Sequence, residues 1–189
     1  MIDQALLFLR DELNAYIHMR TNATTVEVKL SKIVNDLGKY AFADDSIALT
    51  IFNLEEDHVF KAQLPEFTYV DGQHQRREPE LKFILHAMFA ANFGIYEEAW
   101  KAIGLVLGFF QSHPAFLADE YPALSPKIGK LTVELESLSV EQLNQIWAYL
   151  GAKHLPSVAY KIRLVVIQDE FASAIQKPVT SVKTNIHYR

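Results

Sequence analysis

The spacing of apolar residues along the chain predicts three helices and five strands, with a weak sixth strand near the end. Apolar side chains recur every three or four positions over 2–19 and 95–111, a spacing typical of helices. Ser139-Val140-Glu141-Gln142 has the form of a capping box, so it predicts a third helix that Gly151 ends. The predicted strands cover 24–30, 47–54, 81–91, 131–136 and 159–167, and the weak one covers 179–186.

Two of these elements predict how the core is arranged. Residues 81–91 are apolar on both faces, which indicates a strand in the middle of a sheet. The helix at 95–111 is apolar over most of its circumference, so we expect it to be well buried, with Trp100 in the core. Asn92 is the expected N-cap of that helix, and Trp147 is expected to be a core residue of the third helix.

The segment 55–80 differs from the rest of the chain. It contains Pro65, Asp71-Gly72 and Pro79, shows no sustained period, and carries seven acidic and three basic residues. We therefore predict a long loop without regular structure, of the kind that is often functional. The predicted organisation is one domain over 1–168, with this loop at 55–80, followed by a C-terminal tail at 169–189.

Together the elements predict a single-domain α+β fold. We expect a mixed, mostly antiparallel sheet of about four to six strands, with the N-terminal helix and two further helices packed on it.

Composition excludes several classes of protein. The 189 residues include no cysteine and carry a net charge of −5, so disulfides, thiolate chemistry and a strongly basic nucleic-acid surface are excluded. The longest uncharged apolar run near the middle, Ala102–Phe110, is too short to span a bilayer. We therefore expect a soluble protein of the cytoplasm with no nucleic-acid or membrane partner.

Two sets of residues could carry chemistry. Glu27-Val28-Lys29 resembles the Glu-x-Lys of magnesium-dependent nucleases, but those sites also need an aspartate on a preceding strand. The element before this strand is a helix, so Asp11 and Glu12 cannot supply that aspartate. The favoured interpretation is that Glu27 and Lys29 lie on a solvated strand face.

A metal site is the second possibility. It would combine His58 and His74 with the acidic side chains Glu55, Glu56, Asp57 and Asp71, but no fixed ligand spacing supports it. His86 lies in an apolar strand and is interpreted as a buried or lining histidine. We therefore predict no catalytic, cofactor-binding or metal-binding residue, and no cofactor.

Two longer stretches carry a family resemblance. Phe89–Ala99 matches a pattern of the type FSANF-x-x-Y-x-x-A, and Leu143–Arg163 matches L-x-x-L-W-x-x-L-G-A-K-x-x-P-S-x-x-Y-K-x-R, with departures at Ala90 and Ile146. With the opening MIDQALLFLRDELNAYI, these stretches resemble the tail-terminator (cap) proteins of extracellular contractile injection systems of the antifeeding-prophage and virulence-cassette type. The similarity covers most of residues 1–168.

The resemblance implies a structural protein and no enzyme. It implies a homohexameric ring that closes the end of the inner tube distal to the baseplate and anchors the last ring of sheath. Its partners would be the tube protein and the sheath protein. It would be cytoplasmic during assembly and then part of a particle that can leave the cell. The alternatives are an assembly adapter or chaperone that forms no ring and, least favoured, a metal-dependent hydrolase built around Glu27 and Lys29.

Overall fold

The computed structural model describes residues 1–21, 26–57, 66–70, 73–77, 81–166 and 175–176. Within them the chain forms three helices: α1 (Ile2–Thr21), α2 (Tyr96–Ser112) and α3 (Val140–Tyr149). The strands, in chain order, are β1 (Glu27–Leu30), β2 (Ser46–Glu56), β3 (Glu66–Val70), β4 (Gln73–Arg77), β5 (Leu81–Asn92), β6 (Ala115–Leu117), β7 (Ile128–Glu136), β8 (Ser157–Val166) and β9 (Ile175–Gln176).

A six-stranded mixed sheet forms the centre of the fold. Its strand order is β1-β2-β5-β8-β7-β6, and every neighbouring pair is antiparallel except β1 and β2. A second sheet of three strands, in the order β3-β4-β9, is formed by the chain between β2 and β5 and by the segment after β8. The predicted α+β class is therefore confirmed, as is the central position of the strand at 81–91.

Helices cover both faces of the six-stranded sheet. On one face, which we call the α1/α2 face, the buried cluster includes Leu9 and Leu13 of α1, Val106 of α2, and Phe89 of β5. On the other, the α3 face, Trp147 packs with a smaller cluster: Ile33, Phe42, Ala48, Met88 and Ala90. Consecutive residues of β5 thus enter different clusters, because side chains alternate across a strand.

The predicted ends of α3 are present in full. The Ser139 hydroxyl accepts a hydrogen bond from the Gln142 N–H, and the Ser139 N–H donates to the Gln142 side chain, which is the capping box. Gly151 has φ +69°, a left-handed conformation that is strained for residues with a side chain. Trp147 is 3% exposed, so its predicted place in the core is confirmed.

Other predictions were wrong in detail. Asn92 does not cap α2: it is the last residue of β5 and donates to Asp44, while Ile95 is the N-cap without a side-chain hydrogen bond. The segment 55–80 is not irregular throughout, because it contains the end of β2 and the antiparallel pair β3 and β4. The predicted strand at 179–186 lies outside the described residues, and the domain boundary at 168 stays a prediction.

Candidate interaction surface

Glu27 and Lys29, whose spacing resembles that of magnesium-dependent nucleases, lie on the outermost strand of the sheet. Lys29 Nζ is 3.3 Å from Glu27 Oε2, and both side chains are about half exposed. Asp11 belongs to α1, where it accepts a hydrogen bond from Arg10. The two side chains therefore form an exposed ion pair at the sheet edge, and such pairs contribute little to stability.

Two acidic residues of the metal set considered from the sequence, Asp57 and Glu55, contact Arg163 and His86. Asp57 accepts a hydrogen bond from Arg163 at 3.0 Å, and Glu55 faces His86. His58 and Asp71 lie outside the described residues, as does the side chain of His74. Among the residues that the structure describes, no three His, Asp or Glu are grouped as a metal ion would need.

His86 is the centre of a charged cluster on the α3 face. The residue is 7% exposed, and its Nδ1 lies 2.9 and 3.1 Å from the two carboxylate oxygens of Glu136. Its Nε2 is 3.5 Å from Glu55 Oε1, and Lys161 Nζ is 3.6 Å from Glu136 Oε1. The cluster joins β2, β5, β8 and β7 through side chains, beyond the part of this face that α3 covers. The sequence interpretation of His86 as a buried histidine is confirmed.

Asparagine side chains cap the outer edge of the sheet at two positions, Val28 of β1 and Leu54 of β2. The Asn14 amide of α1 donates to the Val28 carbonyl at 3.0 Å and accepts from the Val28 N–H at 2.7 Å. Asn53 accepts from the Leu54 N–H at 2.9 Å. These amides occupy backbone groups that a foreign strand would need, which is one way in which proteins protect sheet edges.

The opposite edge, at β6 and β7, is protected over part of its length. β6 pairs with residues 130–132 of β7, and the Val133 N–H donates to the Pro114 carbonyl. The Leu117 carbonyl of β6 accepts from the N–H groups of Glu120 and Tyr121. The end of β7 beyond this point, Glu134–Glu136, is named here the β7 tip.

The β7 tip carries an apolar side chain between two acidic ones. Leu135 is 57% exposed, and within the described part of the chain its backbone N–H and carbonyl have no hydrogen-bond partner on the outer side. Glu134 is exposed and lies 3.6 Å from Arg163, whereas Glu136 is mostly buried against His86. The tip is therefore an open strand edge, in contrast to the capped edge at β1 and β2.

A second exposed surface lies on the outer side of α2. Ala99, Ile103, Val106 and Phe110 face the sheet, whereas Trp100 is 45% exposed, so its predicted place in the core is wrong. Each residue of an α-helix is rotated by about 100° from the one before it. Trp100 follows the buried Ala99, so it points away from the core. Tyr96 and Leu107 are exposed beside it, and the Tyr96 and Trp100 rings meet edge to face.

The fold is shared with two solved structures of contractile injection systems. It is similar to the sheath/tube terminator, in the extended state, of the extracellular contractile injection system PVC, with a TM-score of 0.58 and 13% identity. It is equally similar to the tube-terminating cap of the anti-feeding prophage, with a TM-score of 0.59 and 13% identity. Both similarities cover 94% of this chain, which spans only 63% and 60% of those two proteins.

The family follows from the sequence comparison. The model of the Pvc16 N-terminal domain matches residues 5–181, and the chain belongs to this family. The resemblance inferred from the motifs at Phe89–Ala99 and Leu143–Arg163 is thus confirmed. A comparison with curated proteins gives no significant match. No helix in the described ranges is long and apolar enough to cross a membrane.

Proposed function

We propose that this protein is a structural cap that ends the inner tube and the sheath of a contractile injection system, and that it is not an enzyme. The observation that carries the proposal is the Pvc16 N-terminal domain match over residues 5–181. The shared fold with a sheath/tube terminator and with a tube-terminating cap supports it.

The cap acts as a homohexameric ring at the end of the tube distal to the baseplate. Its partners are the tube protein and the sheath protein, with no nucleic acid or membrane involved. Contacts between two different surfaces of identical subunits form a closed ring only if the rotation between subunits closes, and otherwise they form a filament. The open edge at the β7 tip is a candidate for one of these surfaces. The ring assembles in the cytoplasm and leaves with the particle.

Deletion of the protein from cells that make the particle tests the role directly. A polymer without its terminator has an unprotected end, so we expect particles of aberrant tube or sheath length, or none, by electron microscopy. A plasmid copy of the parent sequence is the control and should restore a uniform length. Stable particles of normal length without the protein would contradict the proposal.

Native mass spectrometry tests the ring itself. We expect a six-subunit species, alone or bound to tube protein. A protein that stays monomeric and never binds tube ends would favour the adapter or chaperone alternative.

A further inference from the structure

We propose that the β7 tip binds residues 179–186 of a neighbouring copy as an added strand, which links the subunits of the ring. The inference rests on the proposed function, because it assigns a contact within that ring. Its site is the described edge Glu134–Glu136, and its occupant is a segment of a second copy.

The backbone of the β7 tip has the geometry that an added strand needs. Residues on a strand direct their N–H and carbonyl alternately to the two sides. Leu131 pairs with β6, and the Val133 N–H donates to Pro114 on that same outer side. Leu135 therefore also directs its backbone groups outward, beyond the end of β6. An open edge of this kind pairs with extended segments of other chains.

Charge argues against pairing between two β7 tips. In an antiparallel pair centred on Leu135, Glu134 of each copy would lie opposite Glu136 of the other. Like charges directly opposite each other on neighbouring strands are destabilising. A different segment, with a basic residue on the side of the two glutamates, would avoid this repulsion.

Residues 177–189 of this chain have the complementary composition. They include Lys177, Lys183 and Arg189 and no Asp or Glu. The stretch 179–186 is rich in valine, threonine and isoleucine, which favour strands. Lys183 stands between Val182 and Thr184, so a strand would place the lysine on one side and Val182 on the other. This alternation matches Glu134 on one side of the β7 tip and Leu135 on the other.

A charge exchange between Glu134 and Lys183 tests the contact in the full-length protein. Self-association is measured by analytical ultracentrifugation. We expect Glu134→Lys and Lys183→Glu each to weaken association about tenfold, because each places like charges opposite each other. The double variant restores an opposite-charge pair and should regain most of the parent's affinity. The control exchange, Lys32→Glu with Asp36→Lys in the exposed segment after β1, should leave association unchanged.

Leu135→Pro tests the backbone part of the contact. Proline removes the outward N–H that the added strand would use and is tolerated at an unpaired strand edge. We expect association to be lost while the circular dichroism spectrum is kept. If the proline variant fails to fold, Lys183→Glu still tests the contact, because that substitution leaves the β7 tip unchanged.

The outcomes separate this inference from the proposed function. Loss of the ring with retained binding to tube ends supports the strand contact and leaves the cap function intact. A ring that forms through this contact but does not bind tube ends contradicts the cap function alone. A parent that is monomeric at every concentration, or a double variant no better than the single ones, overturns the inference.

Discussion

Substitution of Trp147 tests how much one side chain contributes to the packing of α3 on the sheet. Trp147 is 3% exposed and packs with Phe42, Met88 and their neighbours on the α3 face. Burial of a tryptophan removes about 150–250 Å² from water, which corresponds to about 4–6 kcal/mol at about 25 cal/mol per Å². Its indole Nε1 has no hydrogen-bond partner in the described part of the chain. That unpaired donor costs the native state about 1–3 kcal/mol, so its removal offsets part of the loss.

We therefore expect Trp147→Ala to lower the free energy of unfolding by about 3–5 kcal/mol, towards the lower end of that range. Urea denaturation followed by far-ultraviolet circular dichroism measures the change without relying on tryptophan fluorescence. Trp147→Phe keeps an aromatic ring and removes the unpaired donor, so its cost should be only about 1–2 kcal/mol.

Trp100→Ala is the matched control, because the Trp100 side chain is 45% exposed on α2. Its expected cost is below about 1 kcal/mol. The packing argument fails if Trp147→Ala stays within about 1 kcal/mol of the parent, or if Trp147→Phe costs as much as Trp147→Ala.

Three further predictions concern stability. Ser139→Ala removes the capping box of α3 and should cost about 1 kcal/mol in urea denaturation; no change would mean that the cap is not formed in solution. Glu136→Ala deprives His86 and Lys161 of their shared carboxylate and should lower the free energy of unfolding by about 1.5–3 kcal/mol. The control Glu134→Ala, at an exposed position, should cost less than about 0.5 kcal/mol. Equal costs would contradict a stabilising role of the cluster around His86. Burial raises the pKa of the Tyr160 hydroxyl to about 12. The native state therefore keeps a proton that the unfolded chain releases near about pH 10. The free energy of unfolding should fall by up to about 2.7 kcal/mol as the pH rises towards about 12. Tyr160→Phe should abolish that part of the loss in denaturation series between about pH 9 and about pH 11, and an unchanged slope would contradict it.

The sequence predicted correctly those features that depend on residues close together along the chain. The apolar residues on both faces of β5 required a strand covered on both sides, and the structure places it between β2 and β8. The Ser139 capping box and Gly151 bounded α3, because caps act through residues a few positions apart. The hairpin of β3 and β4 also had a local signal. Asp71-Gly72 is a dipeptide typical of two-residue hairpin connections, but the charged, aperiodic composition of 55–80 predicts a loop there instead.

Features that depend on distant contacts could not be predicted. α2 has apolar residues around most of its surface, so its sequence does not say that Trp100 points away from the sheet. The partners of His86 come from β2 and β7, and only the sheet order brings them together. β6 is three residues long, too short to show a period. The cap at Val28 depends on where Asn14 of α1 lies after folding.

The asymmetry of the two sheet edges bears on how a terminator differs from a polymer subunit. A sheet that accepted strands at both edges would offer each added copy a further site, and growth would not stop. Here Asn14 and Asn53 occupy backbone groups at one edge, and Leu135 keeps its own available at the other. In the proposed contact, each copy accepts one strand at its β7 tip and donates residues 179–186, so every contact joins two different surfaces. Identical subunits that meet in this way leave no unused β7 tip once the rotation closes. A ring closed through this contact would offer no β7 tip to a further copy, which is what the proposed cap function requires.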